Sequence, residues 1–115
     1  MKLILVTAML FLTVNFTFSQ QQSNTHFFAQ CILNIEDQTV LTNLEADLRL
    51  MPFVQVVRVD LPTKRLFLLT QNLEEISIET FKSWLGTHSE AASCVQVGLH
   101  GTDVVQPYPF TNCSN

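Results

Sequence analysis

Cys31, Cys94 and Cys113, together with His26, His88 and His100, are the side chains of this 115-residue chain best suited to chemistry. Two thiolates held close together capture a soft metal ion, and imidazole can complete such a site. The three cysteines lie far apart in sequence, and no recognised ligand spacing joins them to the histidines. The expectation is therefore no metal and no cofactor, with a site improvised from Cys31 or Cys94 and a histidine kept as the alternative. Catalytic spacings are missing too. The chain has no Gly-x-Ser-x-Gly elbow, no His-Glu-x-x-His pair and no phosphate loop. Glu36-Asp37 and Glu74-Glu75 are adjacent carboxylates, read as solvated loop residues or helix starts rather than acid/base pairs. A non-catalytic protein is expected.

Composition narrows the class further. With 47% hydrophobic residues, 14% charged residues and three glycines, the chain is neither disordered nor of low complexity. Its formal charge of −4 lacks the basic footprint of a nucleic-acid binder. Lys2 precedes a largely apolar h-region from Leu3 to Val14, and Thr17-Phe18-Ser19 follows with small residues at both ends. That order predicts a secretory signal peptide over residues 1–19, cleaved between Ser19 and Gln20. The alternative is an uncleaved anchor, which would be the chain's only membrane contact. The expected product is exported, either periplasmic or secreted, with a polar mature terminus over residues 20–26. Small domains in such compartments use cysteine for disulfides.

Hydrophobic periodicity then lays out one domain over residues 27–105 and a tail over residues 106–115. From His26 to Ile35, Ala29, Cys31, Leu33 and Ile35 share one face, while Phe28, Gln30, Ile32 and Asn34 share the other. This predicts a strand. Val40, Leu41, Leu44, Leu48 and Met51 recur at helical spacing after Glu36-Asp37 and before Pro52. Phe53–Leu61 and Arg65–Thr70 predict a hairpin turning at Pro62-Thr63-Lys64. Ile78, Phe81, Trp84 and Leu85 mark a second helix that starts at Ser77 and is capped by Gly86, and Trp84 is expected in the core. Cys94 to His100 alternates as a fourth strand. The order βαββαβ predicts an α+β, ferredoxin-like domain with two helices on one face of a four-stranded antiparallel sheet.

The stretch Leu44-Glu45-Ala46-Asp47-Leu48-Arg49-Leu50-Met51-Pro52-Phe53, continuing through Val54–Leu66, resembles the helix-to-hairpin core of heavy-metal-associated domains. Ser77-Ile78-Glu79-Thr80-Phe81 is similar to that family's second-helix start, and the resemblance spans about residues 27–100. The family carries a metal-binding Cys-x-x-Cys loop after its first strand. This chain has Asn34-Ile35-Glu36-Asp37-Gln38-Thr39 there, so no family ligand carries over.

Strand parity selects a disulfide. Cys31 falls on the helix-covered face, whereas Cys94 lies opposite in sense to Val95 and Val97, on the open face. Side chains on opposite faces do not meet the short Cβ separation of a disulfide, which disfavours Cys31–Cys94. The extended tail, Gln106-Pro107-Tyr108-Pro109-Phe110-Thr111-Asn112-Cys113, is expected to fold over the open face and bring Cys113 to Cys94. A frayed end with Cys113 unpaired is the other reading. Asn112-Cys113-Ser114 also matches the N-glycosylation acceptor pattern, a weak signal at a chain end. The third strand is apolar on both faces, so Phe67 and Leu69 join Phe28 and Ile32 on the open side. Two readings stay open: a partner-binding surface, or a surface hidden by Tyr108 and Phe110 of the tail. The functional expectation is an exported domain acting by protein–protein contact with an exported or envelope partner.

Overall fold

A computed structural model describes residues 26–111 and Cys113. The predicted signal peptide and Asn112 of the acceptor pattern lie outside the described residues. The described chain runs β1 (Phe27–Leu33), α1 (Gln38–Arg49), β2 (Val54–Asp60), β3 (Arg65–Thr70), α2 (Ile78–Trp84), a 3-10 turn (Gly86–Ala91) and β4 (Ala92–Leu99). The fold is α+β, and its four strands form one antiparallel sheet in the order β2-β3-β1-β4. No described helix is long and apolar enough to cross a membrane.

Local chemistry explains the element boundaries. The Asp37 carboxylate accepts from the Thr39 N–H at 2.9 Å, capping α1, and the Ser77 hydroxyl accepts from the Thr80 N–H at 3.1 Å, capping α2. Gly86, at φ +59°, occupies the left-handed position that ends the second helix. Leu41, Leu44 and Leu48 of α1 and Phe81 of α2 join Ala29, Cys31, Leu33, Val57, Leu66 and Leu68 of the sheet in one buried cluster. Both helices therefore cover the same sheet face. Trp84 is half-buried at the edge of this core, 4.5 Å from Phe53 and 6.2 Å from Phe81 between ring centroids.

Strand β2 is an outer strand, and its free edge is already engaged. The Glu45 carboxylate accepts from the Val59 N–H at 2.9 Å while pairing with Arg49 one helical turn on. A side chain from α1 thus occupies a ladder position that another strand would need.

The opposite face is not bare. Phe28 pairs across the sheet with Gly98, and a Cβ at Gly98 would come within 2.9 Å of the Phe28 ring and 3.0 Å of the Asp103 Cβ. The glycine hollow lets Phe28 sink to zero exposure, so this residue is withdrawn from the expected interaction surface. Ile32, Phe67 and Leu69 are half-buried.

Candidate functional site

The open face is built by the hairpin register. Arg58 stands opposite Phe67, and Asp60 stands opposite Arg65. Their side chains consequently emerge on one side, two guanidinium groups at diagonal positions of neighbouring strands. Val105, from the segment after β4, adds a wall, and the five residues line an open cleft of about 530 Å³.

Arg65 is held from several directions. Its Nη2 donates to Gln30 Oε1 at 2.9 Å, and its guanidinium carbon lies 5.7 Å from the Phe67 ring centroid and 5.8 Å from that of Phe110. Its Nε is buried without a hydrogen-bond partner. Contact with two rings and the bond to Gln30 fix the planar head, and the guanidinium keeps its charge toward an anion in the cleft. Asp60 lines the same cleft, but its Oδ2 accepts from both the N–H and the hydroxyl of Thr63 in the hairpin turn. Arg49 and Lys64 are ion-paired, to Glu45 and Glu36, whereas neither Arg58 nor Arg65 has an ion pair among the described residues.

A polar hub ties the tail to this face. Gln30 is fully buried; its Nε2 donates to Gln96 Oε1 at 2.7 Å and to the Gln106 carbonyl at 3.1 Å. Gln96 in turn accepts from the Gln106 N–H at 3.0 Å and donates to the Val104 carbonyl at 2.9 Å. Cover by the tail is partial. Phe110 is half-buried over Arg65, but Tyr108 is 47% exposed, its ring set edge-on to that of Phe110 at 5.9 Å.

Cys94 and Cys113 are joined in a disulfide, with Cα atoms 4.4 Å apart. Alternation alone does not place Cys94. Gln96 pairs with Gln30 and Ser93 with Ile32, so two residues, Cys94 and Val95, face Cys31 across a bulge, with Cys94 at φ +55°. Val95 enters the core cluster and Cys94 bonds to the tail. The disulfide is compatible with an oxidising, exported environment.

These facts bear on the alternative metal reading. Cys94 holds no thiol, and Cys31 is fully buried, its pKa pushed by desolvation from 9.0 up to about 12. No group of three or more His, Cys, Asp or Glu side chains able to hold a metal is found among the described residues. His26 Nδ1 donates to the Thr70 carbonyl at 2.8 Å. In the segment between β1 and α1, Asp37 caps α1 and Glu36 accepts from Lys64 Nζ at 2.7 Å. That hydrogen bond, reinforced by the charge of Lys64, holds the Glu36 carboxyl below its ordinary range.

The buried Cys31 thiol carries a prediction. At about pH 8 the native protein is expected to resist iodoacetamide, because the thiolate is the nucleophile and it is scarce here. Alkylation in guanidinium should then reveal a single thiol. The unfolded thiol ionises near 9.0 and the folded one near 12, so the unfolded chain loses its proton first. Stability from this group is present below about pH 9 and declines as pH rises toward about 12, readable in denaturant midpoints of wild type against Cys31→Ala.

The cleft residues Arg58, Arg65 and Val105 and the hub residues Gln30 and Gln96 were not among the expected site residues. A glutamine between Phe28 and Ile32 in an apolar stripe was the available signal for the hub. No protein-family model, curated protein or solved structure matches the chain.

Proposed function

We propose that the mature chain is an exported, non-catalytic binding module that acts by protein–protein contact through the open face of its sheet. Its frame is read as ferredoxin-like, close to the heavy-metal-associated domains but without their metal loop. The strand order β2-β3-β1-β4, with both helices buried in a single core, supports that architecture. The observation that carries the function is the uneven cover of the open face. The tail is stapled by Cys94–Cys113 and fixed by Gln96, yet Phe67, Leu69 and Ile32 stay partly accessible beside a cleft bearing two arginines without ion pairs among the described residues. Apolar area kept next to unpaired charge has the make-up of an interaction patch. Export rests on the sequence of residues 1–19 and is supported by the disulfide.

Site-specific photo-crosslinking in the exporting cell tests this. A photoreactive amino acid placed at Leu69 should give a discrete heterologous adduct. The same group at Leu50, which is 83% exposed after α1, should give none. Monomer alone from both positions would overturn the proposal. Stoichiometric copper or zinc that survives dialysis, and is lost in Cys31→Ser, would replace it with a metal carrier.

A further inference from the structure

Resting on that reading of the open face, we infer that the cleft between the β2–β3 hairpin and Val105 takes an acidic side chain of a partner polypeptide, flanked there by an apolar residue. Charge argues first. The chain carries a net charge of −4, yet Arg58 and Arg65 converge on one cleft, and neither is neutralised by an ion pair among the described residues. The carboxylate in the lining, Asp60, is engaged by the Thr63 turn rather than by either guanidinium.

Geometry argues second. Arg65 is immobilised between Phe67 and Phe110 and braced by Gln30, so little entropy remains to be lost when its head meets an anion. Its Nε is buried away from the cleft, so an incoming carboxylate meets the terminal Nη groups rather than Nε. Arg58 is exposed and free to swing onto the same carboxylate. Phe67 and Val105 supply the apolar contact beside it.

Shape argues third. The cleft is open, whereas sites for free small molecules enclose most of their ligand. A partner chain brings its own cover. The free edge of β2 is a poorer route, because Glu45 already occupies the Val59 N–H.

The test uses the mature, disulfide-bonded chain against a displayed library of random linear peptides. Selected peptides should be enriched in Asp or Glu next to a large apolar residue. Replacing that acid by its amide should weaken binding by about tenfold, as should Arg58→Gln in the protein, and the double change should cost little more than either alone. Arg58 is exposed, so its variant should keep the melting temperature of the wild type. Arg65→Gln is the second variant, read only if its fold survives. Selected peptides without acidic enrichment, or indifferent to Arg58→Gln, overturn the inference while leaving the open face a binding surface. Phenylacetate that displaces the peptide at similar affinity overturns it in favour of small free acids. No binder from the library, with the Leu69 crosslink still formed, overturns the acidic-peptide assignment alone; loss of that crosslink as well removes the binding-module reading with it.

Discussion

Replacing both partners of the disulfide, Cys94→Ser with Cys113→Ser, should lower the stability of the mature chain by about 3 kcal/mol, the chain-entropy value for a loop of this length. The bridge closes 19 positions of sequence and anchors the far end of a segment that otherwise holds on through polar contacts. Those contacts are specific. Gln96 binds the backbone at Val104 and Gln106, Gln30 binds Gln106, and the Phe110 ring lies over Arg65. The tail is therefore expected to stay docked without the bridge, so that the full entropy of the released loop appears in the unfolded state. For a domain of this size the corresponding fall in melting temperature is about 12 to 24 °C. Urea unfolding of the two proteins, followed by Trp84 fluorescence, measures the difference. Chymotrypsin digestion reports the tail separately, since Phe110 is its aromatic cleavage site, Tyr108 being followed by Pro109. A loss below about 1 kcal/mol with rapid cleavage at Phe110 would mean that the tail leaves the sheet once released, which would sink the assignment of its anchoring to Gln30 and Gln96.

The frame of this domain was legible because its strands and helices obey simple periods. Ala29, Cys31 and Leu33 alternate into the core, Leu41, Leu44 and Leu48 return every turn or so, and all six are buried. The choice of Cys94–Cys113 came from parity as well, although the strand reaches it through a bulge at which parity breaks down. A residue inserted into one strand of a pair leaves no local mark in composition, and Cys94 reaches positive φ without being a glycine. The 3-10 turn Gly86–Ala91 was not foreseen, since six residues are too few to show a period. The site was harder still. Arg58 and Arg65 sit on different strands, and only the register that sets Asp60 opposite Arg65 brings them to one cleft. The expected surface named the apolar members of the open face, Phe28, Ile32, Phe67 and Leu69, and passed over the polar ones between them. Phe28 then proved to be the most deeply buried of the four, because its partner across the sheet is a glycine.

Gln30 is the polar residue whose loss should be felt most. It is buried to zero exposure on the face away from the helices, and each end of its amide is used. The oxygen accepts from Arg65, and the nitrogen donates to Gln96 and to the tail backbone at Gln106. Gln30→Ala removes all of these bonds at once. It leaves the Arg65 Nη2 and the Gln106 carbonyl to find water or another partner, while Gln96 Oε1 keeps the Gln106 N–H, and the Arg65 Nε is already without a partner. An unpaired buried polar group costs about 1–3 kcal/mol, more when it is charged, so the expected destabilisation is about 2–4 kcal/mol. That is a large share of the roughly 5–15 kcal/mol by which domains are stable. Gln30→Glu discriminates the mechanism. Its carboxylate keeps the bond to Arg65 but cannot donate to Gln96 or Gln106, so the cleft-side contact survives while the tail-side contacts fail. Hydrogen exchange should then show faster exchange at Gln106 N–H with the amides of β3 unchanged, whereas Gln30→Ala should loosen both. If Gln30→Ala unfolds at the same denaturant concentration as the wild type, the hub does not bind sheet to tail. The rigidity of Arg65, on which recognition of an acidic partner depends, would then have to come from Phe67 and Phe110 alone.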